Sequence, residues 1–540
     1  MTVQFPEDFN LADYYLFERL AEGLGDKPAI RYGDRSYSYG DVAERTRALA
    51  RYFQTVGVQR EQRIYTVLKD APPFAWSFFA TLAHGATVAM GNPVAPPDDL
   101  GYVVGYSRCA VLVTHPEVAD ALAPTLLESP YLRAVLLVPD VPTGDDAEGM
   151  FEMPASLAGA PFEVRALTDA LEVGRAAEPV PMPPTRRDDV AVWLFTSGST
   201  GRSKAAVHTH RDFAFNTEVY AKRTVGYRRD DVTVSVPKLF FGYATGTNLM
   251  FPFAVGATTG LFSERPTPES LANAIQMYRP TVVTNVPTML GKLLEYDGEL
   301  DMSCIRFHLS AGEALPPSLL QRVLDRFSID VYDGIGSAEM FHIYCTNRPG
   351  DIKPGSLGRV VEGYELKILP REATGPGAQP VAPGETGVMW VKGDSVALGY
   401  FQDRDKSWET FHGHWCRTGD LFRIDADGYL WFSGRADDLF KVGGIWVAPQ
   451  EVEECLLQHA AVALCAVIPV EVGGLVKPKA FVVLRESHKG QSPTAELQDH
   501  VKQRLSKHKY PRFVQFVDDL PKNDRGKVDR KRLIAQERGQ

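Results

Sequence analysis

Thr196-Ser-Gly-Ser-Thr-Gly-Arg-Ser-Lys204 is the stretch from which this chain is best read. It follows Val190-Ala-Val-Trp-Leu-Phe195, a short apolar run rich in β-branched and aromatic residues that predicts a buried strand. The chain therefore leaves a sheet and enters a loop of glycines and hydroxyls closed by a lysine. Gly198 and Gly201 let backbone N–H groups approach an anion closely, forming a concave nest. Thr196, Ser197, Ser199 and Thr200 add hydroxyl donors, and Lys204 adds a point charge. This is the chemistry of a polyphosphate cradle. It is not a Walker A loop, because counting from Gly198 that pattern needs glycine where Ser203 stands.

Working outward, strand and helix patterns alternate. Ser36-Tyr-Ser-Tyr39 predicts a strand and turn, with Asp41 as the cap of a helix reaching Gln54. Strands are expected at 62–68, 110–114, 134–138, 231–236, 281–284 and 305–310, the succession of parallel βαβ units. Residues 141–189, rich in Pro, Ala and acidic groups, read as a surface crossing. From 355 to 433 short strands and turns suggest a small β-barrel or sheet. After Arg435 about a hundred residues carry helices at 449–458 and 494–506 and strands at 463–467 and 480–483, enough for a separate domain.

Composition narrows the function. The net charge of −10 argues against a general nucleic-acid binder. Six cysteines without a C-x-x-C pair fit a reducing compartment. The start of the chain has no signal-peptide pattern. The longest uncharged stretch, 71–97, is broken by five prolines and reads as a helix over 74–82 followed by a buried strand, not a membrane span. The cytoplasm is the expected location. Two His-x-His pairs, 208/210 and 412/414, lack a third metal ligand nearby in sequence, and His208 and His210 read as a strand end.

The 196–204 run resembles the phosphate loop of the adenylate-forming superfamily, which comprises acyl- and aryl-CoA synthetases, adenylation domains and luciferases. Four further motifs resemble that family's in the same order: Tyr332-Asp-Gly-Ile-Gly-Ser-Ala-Glu339, Arg417-Thr-Gly-Asp420, Gly434-Arg-Ala-Asp-Asp438 and Pro521-Lys-Asn-Asp-Arg-Gly-Lys527. The resemblance implies an α/β fold, with a large N-terminal domain of two doubly wound αβ subdomains plus a small β-barrel. A small mobile α+β C-terminal domain follows. The division expected is 1–435, holding ATP and the acid, and 436–540, a lid with the catalytic lysine.

The resemblance also implies roles. Glu339 is similar to the family's magnesium ligand, an oxygen donor suited to a hard cation. Asp333 resembles the acceptor of the adenine amine, with Gly334 and Ser337 beside it in the nucleotide site, and Gly312 and Glu313 resemble the backbone wall along the base. Asp420 resembles the ribose ligand and Arg435 its partner. Lys527 resembles the lysine that spans carboxylate and phosphate during adenylation. Asp437 matches the hinge, and Gly443-Gly444 the coenzyme A channel. Positions 502–532 carry 11 Lys or Arg against 4 Asp, a basic face open to solvent, nucleic acid or coenzyme A phosphates. One position departs: Ala338 stands where the family usually has Thr, which removes a hydroxyl donor to the α-phosphate and leaves Ser337 or Lys527 to replace it.

Lys238-Leu-Phe-Phe-Gly-Tyr-Ala-Thr-Gly246 and Met340-Phe-His-Ile-Tyr344 look most like the benzoate-CoA ligase branch. Phe241, Tyr243, Ala244, Ile335 and His342 would line its acyl pocket, and the small Gly242 and Ala244 would leave room for an ortho substituent such as the amine of anthranilate. The expected reaction uses ATP, Mg2+ and coenzyme A to turn an aromatic acid into an acyl-AMP and then a thioester. Loading of a carrier-protein thiol, and a nucleotide-binding protein without turnover, are the alternatives. Thirteen residues follow Lys527, too few for a fused carrier domain. Neither nucleic acid nor a membrane is expected as a partner, and a homodimer is an open expectation.

Overall fold

The computed structural model describes residues 3–141, 151–179, 184–197, 202–435, 439–443, 445–521 and 528–538. Arg435 is described through its backbone alone. The chain divides into two compact units, Met1–Glu365 with Val391–Cys416, and Leu366–Trp390 with Arg417–Gln540.

The first unit is built on two sheets. One has seven strands in the spatial order Glu163–Ala166, Ala134–Leu137, Val111–Thr114, Arg63–Val67, Thr87–Met90, Val190–Ser197 and Ser203–Thr209. The first six are parallel, and the last turns back antiparallel against Val190–Ser197. The other sheet has nine strands. Its six central strands, Asp330–Gly336, Phe307–Ser310, Val282–Asn285, Val232–Ser235, Thr258–Leu261 and Pro28–Tyr32, are parallel. Antiparallel strands Ile343–Thr346 and Arg35–Ser38 flank them. The expected βαβ succession is therefore present, and both sheets offer the carboxyl ends of parallel strands, where α/β folds bind ligands.

The cores follow from the patterning. Val67, Leu112, Val135 and Leu137 pack against Val104, Leu122 and Leu126 of the covering helices. In the second sheet Val234 and Val283 pack against Leu271, Ile275 and Tyr278. Helix Pro72–His84 is buried on almost every side, so its sequence is apolar all round. Gly85, at φ +77°, ends it in a left-handed cap. The longest uncharged stretch is thus a core helix and the buried strand Thr87–Met90. No described helix is long and apolar enough to cross a membrane.

Three local expectations need correction. Helix Tyr39–Thr55 is capped by Ser38, not Asp41; Asp41 is the third helical residue and returns the bond to the Ser38 N–H, completing a capping box. The 141–189 crossing contains a further unit, strand Glu163–Ala166 and helix Leu167–Ala176, hidden by weak alternation in Glu163-Val-Arg-Ala166. His210 is not a strand residue but opens the helix His210–Asn216.

In the second unit residues 420–424 of strand Trp415–Ile424 pair antiparallel with strand Leu430–Arg435. Strands Val462–Val472 and Leu475–Leu484 form a hairpin longer than expected. Gly473 and Gly474 both take positive φ and supply its tight turn. Phe513–Phe516 adds a parallel strand. Val467 and Val482 pack against Val452, Leu456, Leu497 and Val501 of helices Pro449–Leu457 and Thr494–Arg504.

Candidate active site

Strands Val190–Ser197 and Ser203–Thr209, which bracket the glycine-rich stretch, pair antiparallel. Thr196 lies opposite Lys204 and Ser197 opposite Ser203, so the lysine closes the described part of the stretch directly across from its first residue. Gly198, Ser199, Thr200 and Gly201 lie outside the described residues. The Lys204 ammonium sits 3.6 Å from the centroid of the Tyr400 ring. Burial lowers the Lys204 pKa, and the Glu339 carboxylate works against that shift. Tyr400 in turn donates from its hydroxyl to Glu339 Oε1 at 2.6 Å.

Glu339 is carried by a tight turn. Two glycines let strand Asp330–Gly336 approach the returning chain: a Cβ on Gly334 would fall 2.8 Å from the Cys345 carbonyl, and one on Gly336 2.4 Å from the His342 carbonyl. Phe341 holds φ at +67°, a costly conformation for a bulky residue, and its ring stacks on Phe213 at 3.6 Å. The turn is also held from strand Ser203–Thr209. His208 Nε2 donates to the Ala338 carbonyl at 2.7 Å, and its Nδ1 lies 3.0 Å from Asp212 Oδ2. His208 is therefore a structural brace with both nitrogens engaged. Ser337 Oγ is buried without a hydrogen-bond partner among the described residues, which leaves one hydroxyl available beside the Ala338 departure.

Magnesium fits this donor set. Glu339 is a half-buried carboxylate on a rigid turn, and a hard cation bound through one carboxylate takes its other ligands from phosphates and water. Among the described residues only His115, Glu117 and Asp140 bring three ligand types together. Two of the three are already engaged: His115 bonds the Val138 carbonyl and accepts from the Lys69 N–H, while Asp140 pairs with the Lys69 ammonium. The His-x-His pairs form no such cluster among the described residues.

Asp333 lies on the same strand as Glu339's turn and is buried. Ser310 donates to its Oδ1 at 2.7 Å. Burial pushes the Asp333 carboxyl from 3.8 up to about 8, tempered by Ser310. A raised folded-state value means that its favourable contribution is complete at acid pH and is lost as the pH climbs through about 8. Asp333→Asn keeps the shape and removes the titration. Its melting temperature relative to wild type is expected to rise steadily between pH 5 and pH 8.5, and a gap independent of pH would refute this. Beyond Ser310, Gly312 takes φ +88°, and Glu313 accepts from the N–H and hydroxyl of Thr288 at 3.1 and 2.7 Å. The Glu313 side chain is thus committed to the fold.

Tyr243 and His342 meet at 5.2 Å between ring centroids. Tyr220, Phe251 and Phe341 also surround His342. Burial drives the His342 pKa down to about 3, so the ring is neutral at working pH. Its Nε2 faces the Tyr243 carbonyl at 3.0 Å and must donate. Nδ1 therefore carries the lone pair. Both His342 Nδ1 and the Tyr243 hydroxyl are buried without partners among the described residues. Gly246 makes this packing feasible, because a Cβ there would fall 2.6 Å from the His342 ring. Ala244 is fully buried, and Phe241 and Ile335 are half-buried. A Cβ on Gly242 would meet Leu194 at 3.1 Å, so Leu194 packs closely against the glycine.

Sequence reading missed Tyr400 and the buried pair Asp70 and Lys238. Burial raises Asp70 to about 6 and lowers Lys238, each opposed by the other's charge. Asp70 accepts from the Leu239 N–H, and Lys238 donates to the Phe262 carbonyl, so the segment leading to Tyr243 is pinned. A charged residue just before an aromatic run was the only signal.

In the second unit Asp420 and Arg435 are direct cross-strand partners, which puts two motifs at one sheet position. Gly443, at φ +57°, lies in the turn between strands Phe440–Val442 and Ile445–Val447. Gly444, Asp437 and Lys527 lie outside the described residues.

A family model for AMP-binding enzymes matches residues 17–401, and one for the AMP-binding enzyme C-terminal domain matches residues 451–527. The chain is 35% identical to the benzoate–CoA ligase of Thauera aromatica, over 98% of this chain and 97% of that one. It is 36% identical to the 4-hydroxybenzoate–CoA/benzoate–CoA ligase of Rhodopseudomonas palustris, over 97% and 93%. Among solved structures it resembles the anthranilate CoA ligase AuaEII in complex with anthranoyl-AMP, with TM-score 0.87 and 32% identity over 99% and 98% of the two chains.

Proposed function

Because the chain belongs to the AMP-binding enzyme family, we propose that it is an ATP-dependent aryl-CoA ligase, which converts a benzoate-type acid to its acyl-AMP and then to the coenzyme A thioester. The acid's carboxylate attacks the α-phosphorus of ATP and expels pyrophosphate. The coenzyme A thiol then attacks the acyl carbon and expels AMP. The first step brings two anions together, and Lys204, the backbone N–H groups of residues 198–201 and Lys527 would offset their repulsion. Magnesium, held by Glu339, would supply further charge neutralisation on the phosphates. Asp333 and the 312–313 backbone would hold the adenine, and Asp420 with Arg435 the ribose. Phe241, Tyr243, Ala244, Ile335 and His342 would receive the ring. Residues 436–540 would act as the lid, pivoting at Asp437 and presenting Lys527 for adenylation and the Gly443-Gly444 segment for the thiol. Six unpaired cysteines suit work in the reducing cytoplasm.

The observation that supports the aromatic reading is the neutral, ring-surrounded His342, whose Nδ1 lone pair, like the nearby Tyr243 hydroxyl, has no partner among the described residues. A buried acceptor without a partner costs free energy, and a ring bearing an amine or hydroxyl relieves that cost. We therefore favour amino- or hydroxybenzoates over benzoate itself. The test is a panel of benzoate, its 2-, 3- and 4-amino and hydroxy derivatives, and medium-chain fatty acids, scored for AMP release and coenzyme A thiol loss. Aromatic acids are expected to react with equal AMP and thiol yields, and at least one donor-bearing ring to show a KM about fivefold below that of benzoate. Preference for fatty acids would refute the aromatic reading, and AMP release without thiol loss the coenzyme A reading.

A further inference from the structure

We propose that Tyr400 is a positioning residue for the nucleotide site, its ring seating the Lys204 ammonium and its hydroxyl orienting the Glu339 carboxylate, so that cation and metal ligand are set relative to each other before ATP arrives. The proposal rests on the reading of Lys204 and Glu339 as nucleotide-site residues.

Three observations carry it. The contacts are specific: 3.6 Å from the ammonium to the ring centroid and 2.6 Å from the hydroxyl to Glu339 Oε1. One side chain thus touches residues 135 positions apart in sequence, and only the fold unites them. Tyr400 is itself rigidly placed. The Leu398 and Phe401 N–H groups donate to the carbonyls of Val207 and Ala205, and the Val207 N–H donates to the Gly399 carbonyl. Residues 398–401 therefore run beside the strand Ser203–Thr209 that carries Lys204. The Ala397 N–H donates to the Glu339 carbonyl at 2.9 Å, tying the same segment to the turn. Finally, Tyr400 is buried against Ala206, Ala397 and Phe411, and its own N–H is held by Ser407 Oγ at 2.8 Å. A long flexible lysine loses rotamer entropy when it is ordered, so a preset seat lowers that cost at binding.

The two halves of the side chain can be separated. Tyr400→Phe keeps the ring and removes the bond to Glu339, whereas Tyr400→Leu removes both. ATP affinity is measured by calorimetry, once with Mg2+ and once with EDTA, alongside ATP–pyrophosphate exchange. In the Phe variant, affinity with Mg2+ is expected to fall about tenfold while affinity in EDTA stays within about twofold of wild type. In the Leu variant, affinity in EDTA is also expected to fall, by about fivefold. Equal losses with and without Mg2+ in both variants would mean a merely structural role and overturn the proposal. So would unchanged affinities, or a rise in the Leu variant, which would make Tyr400 a competitor of ATP. Thermal melts of both variants register any loss of folding, and the Phe variant preserves the packed ring. If wild type itself binds no ATP, the functional reading fails first, which is distinguishable from failure of the Tyr400 assignment.

Discussion

Replacing Lys527 by alanine is expected to slow acyl-adenylate formation by about a hundred- to a thousandfold, while thioester formation from a supplied acyl-adenylate stays within about threefold of wild type. The asymmetry follows from charge. In the first step a carboxylate approaches the α-phosphate of a polyanion, and negative charge accumulates on oxygens between them, where one lysine can neutralise both. In the second step the acyl carbon is already activated and AMP departs as a stable anion, so a cation on the carboxylate side is no longer required. Pyrophosphate exchange reads the first step, and loss of coenzyme A thiol with synthetic benzoyl-AMP reads the second. If both rates drop together, Lys527 is holding the fold or coenzyme A, not the adenylating anions. Arg or Lys at ten other positions in 502–532 makes general loss of positive charge a poor explanation for a selective defect.

Glu339→Gln is expected to lower Mg2+-dependent ATP affinity and adenylation by about a hundredfold, with little change in melting temperature. Glutamine preserves the side-chain shape, and its amide oxygen can still accept from the Tyr400 hydroxyl. What disappears is the charge. A hard cation loses its anionic ligand, and Lys204 loses the carboxylate that counters the lowering of its pKa by burial. A second consequence has a definite sign. Lys204 in the variant should lose its proton at lower pH than in wild type, so metal-free ATP binding should decline earlier on the alkaline side. Calorimetric titrations with Mg2+ or EDTA between pH 7 and pH 10 measure both effects. A variant that responds to Mg2+ as wild type does would remove Glu339 from the metal's ligands.

Much of the architecture was legible because it depends on local pattern. Buried parallel strands are short apolar runs, so 111–114, 134–137, 282–285 and 307–310 fell within a residue or two of expectation. The strand Glu163–Ala166 escaped because every residue in it is half-buried at the sheet's edge, and edges impose little alternation. The cap at Ser38 was misplaced by three residues because both members of a capping box are polar and reciprocal. At the site, a small residue such as Gly242 does not by itself say what packs opposite, here Leu194, because that neighbour is 48 positions away in sequence.

By itself the sequence determined the chemistry on offer. It set the order of strand, glycine-rich turn and lysine, the carboxylates at 333, 339 and 420, and the aromatic segments, since residue type and spacing along the chain carry that information. Only the tertiary structure decided which groups confront one another: Tyr400 between Lys204 and Glu339, His208 bracing Ala338, and His342 held neutral with its Nδ1 unpartnered among the described residues. The reason is physical. Protonation, hydrogen-bond satisfaction and cation seating depend on burial and on neighbours distant in sequence, and those exist only once the sheets have packed.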